Sequence, residues 1–442
     1  MKVNKKKWDK ISLHEIGKVI SGYAFKSSEF KDSGIPVIKI KNIRHGDVDL
    51  SNAQCVDDSR LALDEKYHVR YGDILISLTG SHLTQPDSVV GRVARYSIKN
   101  KEALLNQRAG KVIINSAASI DRRFLFYVLS SQEKMTEIAL KAQGAASQAN
   151  VSPSDVESLI LDIPILNVQQ KISAILFAYD DLIEKNIRRI QIFEEMAQRI
   201  YREWFIDYRF SGHEKIKFID SQIGKIPEGW QVVTIGDVID SIESGSRPKG
   251  GIDPHENGVP SIGAENILGL GLYEFDKEKY VSKSFFENMR RGIIKSGDVL
   301  LYKDGAKIGR KSMFRDGFPH DVCCVNEHAF ILRTNSRCSQ NYLYFYLDRP
   351  DVTQKIIGLN ANAAQPGINQ PGVKGLPILL PEKRLIDLFD AQTDPLMGLL
   401  FNLAKKNKCL REKRGILLPK LISGEVDVSE MDIAIRELAN VA

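Results

Sequence analysis

The chain has 442 residues, 43% of them hydrophobic and 27% charged, with a net charge of +6. That length exceeds one ordinary core, so two domains and a connector are expected, and the mild basic excess permits an anionic partner without requiring one. Five scattered cysteines without zinc spacing, a basic start lacking an apolar stretch and no run of eighteen apolar residues argue for a reduced, cytoplasmic protein without a leader or a membrane span.

In chain order, the first 160 residues or so read as mixed α and β. Residues 36–43 alternate Val37, Ile38, Ile40 and Ile43 with Lys39, Lys41 and Asn42, which predicts a strand with a basic face. Tyr71-Gly72-Asp73 reads as a turn launching a strand over 74–78, closed by Gly80-Ser81-His82. Further short strands are expected at 89–96 and 111–114, a helix at 123–130, and a small, polar loop over 144–152.

A long helix is expected over 168–204. Leu176, Ile183, Ile190, Ala197 and Trp204 recur every seven residues, with Tyr179, Asn186, Phe193 and Ile200 three later in each heptad, and no proline or glycine intervenes. Asn186, the one amide of this seam, either fixes register or is wetted at a frayed seam. Phe389, Leu396, Leu403, Leu410 and Leu417 step by sevens near the C-terminus and supply the expected partner helix, which Pro395 should bend or restart with Asp394 as its cap.

The second half repeats the first. Trp8 and Ile16-Gly17 answer Trp230 and Ile235-Gly236; Gly72-Asp73-Ile74-Leu75 answers Gly297-Asp298-Val299-Leu300; Gly91-Arg92 answers Gly309-Arg310. Asn106-Gln107-Arg108 answers Asn326-Glu327-His328, and residues 148–152 answer 365–369. The matches keep one order, at offsets between 217 (148 to 365) and 225 (72 to 297), so the chain is a globular-plus-helix unit used twice. Antiparallel pairing of the two helices would create a pseudo-twofold axis.

Several chemistries find no support. There is no phosphate-binding loop, no complete dinucleotide fingerprint and no His-Glu-x-x-His. Asp298, Lys303 and Asp304 are the nearest approach to a nuclease-like set, but Asp298 matches Asp73 in a turn and Thr79 stands where Asp304 does.

Two similar modules on a spacer suit a ligand with two separated sites, and duplex DNA presents half-sites about 34 Å apart on one face. Lys and Arg would position the modules on phosphates, and Asn, Gln and Arg would read base edges. The candidates in the first copy are Lys39, Lys41, Arg44, Thr79, Ser81, His82, Arg92, Gln107 and Arg108. In the second they are Arg247, Lys249, Asn266, Lys303, Lys307, Arg310 and Asn326. Each also has a plain reading as a solvated surface residue or, for the asparagines, as a closer of a turn. The copies differ most in these stretches, so the two half-sites should differ.

The Gly-Asp-Ile/Val-Leu turns, Asn106-Gln107, residues 365–369, Gln169-Gln170-Lys171-Ile172, Arg202-Glu203-Trp204-Phe205 and Leu421-Ile422-Ser423-Gly424 together resemble the specificity subunit of a type I restriction-modification enzyme, over almost the whole chain. The resemblance implies an α+β architecture: target-recognition domains at 1–165 and 227–380, spacer helices at 166–206 and 381–424 pairing as an antiparallel coiled coil, a joint at 207–226 and a tail at 425–442. It also implies a non-catalytic chain that recognises a bipartite, asymmetric site in double-stranded DNA. Two modification subunits, carrying S-adenosylmethionine and methylating adenine at N6, would dock on the helices, and restriction subunits using ATP and magnesium would join them; no cofactor is expected in this chain. Pro395 and the opening at Pro381-Glu382 depart from the family pattern. A scaffold that pairs proteins and ignores DNA is the competing expectation.

Overall fold

The computed structural model describes residues 8–81, 90–145, 148–249, 251, 258–360 and 367–435. They form two units, Met1–Asp181 with Glu412–Ala442, and Leu182–Arg411. Two forty-residue helices, Leu166–Phe205 and Lys383–Ile422, each belong partly to one unit and partly to the other. No helix among the described residues is long and apolar enough to cross a membrane.

In the first unit, strand Ile74–Ser77 is buried at all four positions, so three apolar residues run together and Ser77 spends its hydroxyl on the Thr79 carbonyl. It pairs antiparallel with Ala109–Ile114 and Val93–Arg95, inside a five-stranded sheet completed by Gly17–Ser21 and Gly46–Asp47. A four-stranded sheet orders Gln54–Val56, Ile35–Ile38, Ala103–Leu105 and His68–Val69. Helix Arg122–Leu129 begins at Asp121, whose carboxylate accepts the Phe124 N–H at 2.8 Å and satisfies a free donor of the first turn. That helix delivers Phe124, Leu125 and Leu129 to a core containing Leu13, Ile74, Ile172, Leu176, Leu421 and Val428. Each such side chain contributes about 1.5–3 kcal/mol on burial. The start of one long helix and the end of the other are therefore fixed to this unit by its own core, and Arg414 pairs with Asp180 beside the Tyr127 hydroxyl.

The second unit repeats the plan. Its antiparallel sheet runs Ile239–Ser244, Ala329–Thr334, Asp298–Tyr302, Lys311–Phe314. Tyr201 and Phe205 pack with Tyr342, Phe345 and Phe389; the Phe389 ring lies 5.9 Å from that of Tyr201 and 5.2 Å from that of Phe205. Farther along, Asn186 Nδ2 donates to Asn407 Oδ1 at 2.8 Å, and Asn407 Nδ2 donates to the Ile183 carbonyl at 3.3 Å. Within this unit the contacts climb one helix as they descend the other.

The same backbone hydrogen bonds are made twice. Gly72 N donates to the Tyr96 carbonyl at 2.8 Å, and Gly297 N to that of Phe314 at 2.8 Å. Both glycines have left-handed backbones, with φ of 91° and 90°, which explains why glycine precedes the aspartate in each turn. Asp73 and Asp298 then accept the N–H groups of Arg70 and Lys295 at 2.9 and 2.8 Å. Asp298 is also held by Arg333, so it is a turn residue.

Three expectations are corrected. The strand at 36–43 stops at Ile38, because Asn42 turns the chain by accepting the Lys39 N–H and donating to the Asp49 carbonyl. The loop over 144–152 contains the paired strands Gln143–Ala145 and Gln148–Asn150. The second helix runs unbroken through Pro395, anchored on both sides by buried Phe389, Met397, Leu400 and Phe401. Asp394 does not cap a new helix; it receives Arg315 at 2.8 Å and Asn341 at 3.0 Å. The buried stripe of that helix is Ile386, Phe389, Thr393, Met397, Leu400, Ala404 and Asn407, with Leu396, Leu403 and Leu410 on its flank.

Candidate nucleic-acid interface

Each unit carries one corner where a sheet strand, a tight turn and a returning strand meet. In the first, Leu78 N donates to the Arg108 carbonyl at 3.0 Å, and Val151 N donates to the Leu78 carbonyl at 2.9 Å. In the second, Lys303 N donates to the His328 carbonyl at 3.0 Å, and Ile368 N donates to the Lys303 carbonyl at 2.9 Å. Thr79 pairs with Asn150 as Asp304 pairs with Gly367. Leu78 thus corresponds to Lys303, Thr79 to Asp304 and Arg108 to His328.

A glycine lets another strand press against each corner. A Cβ on Gly22 would lie 2.2 Å from the Leu105 carbonyl oxygen, and one on Gly245 would lie 1.6 Å from that of Val325. Gly22 and Gly245 thus answer each other, with Ala24 and Arg247 two residues on in sequence.

The first corner presents amides and one base. Thr79 Oγ1 donates to Asn150 Oδ1 at 2.8 Å, while Gln107 and Arg108 are exposed on a turn held by Asn106. Ser81 follows directly, and Arg92 lies across the strand, its carbonyl accepting the Ser77 N–H at 2.9 Å. Lys39, Lys41 and Arg44 occupy a separate turn that is linked to the corner where Asn106 N donates to the Ile38 carbonyl at 3.0 Å. Lys39 Nζ donates to Gln54 at 2.6 Å and sits over the Phe30 ring; burial and then Lys41 hold its ammonium below the usual value. Arg44 faces Asp49 at 3.4 Å and Lys41 is exposed. His82 lies outside the described residues.

The second corner is an ionic chain. Lys303 Nζ donates to Asp304 Oδ2 at 2.8 Å, and His328 faces Asp304 through Nδ1 at 3.0 Å and Glu327 through Nε2 at 3.2 Å. Arg247 pairs with the same Glu327 oxygen, Oε1. Asn326 is a turn residue, accepting the His328 N–H at 2.9 Å. Asn266 is buried with its amide spent on its own turn, accepting from Gly263 and donating to Glu274, as Asn42 does in the first unit. Lys249 and Lys307 are exposed. Arg310 lines a neighbouring cleft with Glu194, Lys311 and Asp348, where burial and Asp348 push the Glu194 carboxyl up to about 7.

Of the candidates, the fold therefore brings together Thr79, Gln107 and Arg108 in one unit and Arg247, Lys303 and Asn326 in the other. Asp304, Glu327 and His328 complete the second corner and were reachable from sequence only by carrying the repeat through to residues opposite Thr79, Gln107 and Arg108. Among the described residues no group of His, Cys, Asp and Glu is placed to hold a metal ion.

Two α/β units sharing one hydrogen-bond plan, each taking part of two forty-residue helices, define a duplicated-domain protein. The fold is similar to that of the S subunit of the type I restriction-modification system from M. genitalium, with a TM-score of 0.52 and 16% identity over 95% of this chain and 97% of that one. The family model described as type I restriction modification DNA specificity domain matches residues 5–192 and 227–387, and the chain belongs to that family. It is 24% identical to the type I restriction enzyme MjaIX specificity subunit of Methanocaldococcus jannaschii, across 96% of this chain and 95% of the relative. Against the EcoBI specificity subunit of Escherichia coli the identity is 21%, over 85% and 76%.

Proposed function

We propose that this chain is the DNA specificity subunit of a type I restriction-modification system. Each unit reads one half of a bipartite, asymmetric target in double-stranded DNA, and the paired long helices set the gap between the halves. Two modification subunits dock on the helices and supply the S-adenosylmethionine chemistry at adenine N6; restriction subunits add ATP- and magnesium-dependent cleavage. The chain itself recognises and does not catalyse.

The observation that carries this reading is the corner built twice on identical backbone bonds with unlike side chains, Thr79-Gln107-Arg108 against Asp304-Glu327-His328. A frame repeated so closely supports a repeated task, and unlike side chains on it support two different readings. Phosphate contacts from exposed lysines would position each unit, and the corner side chains would select bases.

Expression of the chain with a modification subunit in a host, followed by methylome sequencing, tests this. The expected result is a single split motif with unlike halves, and DNA affinity of the assembled complex that falls steeply with salt. A scaffold indifferent to DNA predicts a motif unchanged when the corner of either unit is replaced.

A further inference from the structure

Arg247 and Glu327 form a pair with no counterpart in the first unit. Counted from the matched glycines, Ala24 answers Arg247 in sequence, and the backbone bonds place Gln107 opposite Glu327, so the acid occurs in the copy that has the arginine and an amide stands where the arginine is missing. An ordinary surface ion pair would leave both partners wet. Here both carboxylate oxygens of Glu327 are closed off from solvent and neither accepts a well-directed hydrogen bond, so Arg247 meets the acid as an ion pair, whereas the Arg247 side chain is 55% exposed. Arg247 Nη2 faces Glu327 Oε1, and the remaining donors of the guanidinium meet no acceptor among the described residues. His328 Nε2 lies 3.2 Å from the same Oε1 and its Nδ1 faces Asp304.

We infer that Arg247 is the base-reading residue of the second unit, that its target is a guanine, and that Glu327 is the positioning residue that aims it. The step rests on the DNA-reading role proposed above. A guanidinium is a planar fork of five donors; with Nη2 drawn to a covered carboxylate oxygen, the exposed side chain keeps the donors of Nε and Nη1 for a ligand. Guanine offers two acceptors, O6 and N7, on one edge of the major groove, the pattern such a fork matches in bidentate fashion. Adenine presents a donor in place of O6 and so leaves one N–H of the fork unpaired. Lysine at the same position would keep the charge and lose the fork. The carboxylate also cancels part of the arginine charge, which weakens a purely phosphate-directed role and leaves geometry as what the pair supplies.

The test uses the chain assembled with its modification subunit and reads the methylated motif for wild type, Arg247→Ala, Arg247→Lys, Glu327→Gln and, in the first unit, Gln107→Ala. The wild-type motif is expected to contain a G·C pair in the half read by the second unit. Arg247→Ala should relax that one position, with discrimination there falling about ten- to a hundredfold, while the other half stays intact as an internal control for folding. Arg247→Lys and Glu327→Gln should relax the same position to a lesser degree. The inference is overturned if Arg247→Lys leaves the motif unaltered, if the relaxed position is an A·T pair, or if Arg247→Ala weakens every sequence equally and lowers the salt slope, as a phosphate contact would. Should Gln107→Ala alter the motif while no change at Arg247 does, this assignment alone fails. Should neither alter it while methylation persists, the DNA-reading role fails with it.

Discussion

At single residues, charge has been taken indoors wherever the fold demanded it. Lys111 and Lys311 lie on different strands of the two sheets, Ala109–Ile114 and Lys311–Phe314, and are both nearly sealed; burial holds each ammonium below its usual value. Lys311 donates to the Leu347 carbonyl at 3.0 Å and to Thr353 at 2.6 Å, so its protons are used. Glu194 faces this site from the long helix with its carboxyl raised to about 7. A raised carboxyl binds its proton more tightly in the folded state. The stability it contributes is complete below its ordinary value of 4.5 and is lost as pH rises through about 7. Glu194→Gln should therefore stabilise the protein at pH 8 by on the order of 1–3 kcal/mol, read as a higher midpoint of thermal unfolding, and give no gain at pH 5. Equal effects at both pH values would show that the carboxyl is already ionised in the folded protein at pH 5.

Among the elements, the two long helices show what periodicity does and does not reveal. Ile183, Ile190 and Ala197 are buried as a heptad pattern requires, but the buried face then passes to Tyr201 and Phe205 rather than to Ile200 and Trp204. A straight helix of 3.6 residues per turn drifts about 20° per heptad against a 3.5 repeat, and this drift accounts for the shift. The second helix hid its face because Thr393, Ala404 and Asn407 lie on it while Leu399 is exposed. Its amide is explained by the other helix. Asn186→Leu alone leaves the Asn407 amide buried without its partner and should cost about 1–3 kcal/mol in urea unfolding. The double change Asn186→Leu with Asn407→Leu should recover most of that loss. Strictly additive losses would mean that the two amides do not depend on each other.

The internal repeat was legible at the scale of the whole molecule because its markers are backbone necessities. Gly72 and Gly297 stand where φ is positive, and Asp73 and Asp298 tie the same turns, so the motifs keep their order whatever the surface does. The corners were less legible. Thr79, Gln107, Arg108, Arg247 and Lys303 were marked by residue type, but Glu327 and Asp304 act through contacts with Arg247 and His328 that only folding creates. The central claim is that one chain reads two DNA half-sites at a gap set by its helices. Seven residues inserted at facing positions of both long helices lengthen each by about 10 Å, or about three base pairs of duplex at 3.4 Å per step. Methylome sequencing of that variant with its modification subunit is the most direct measurement: the claim predicts both half-site sequences unchanged and the gap between them altered, and recovery of the original gap would contradict it.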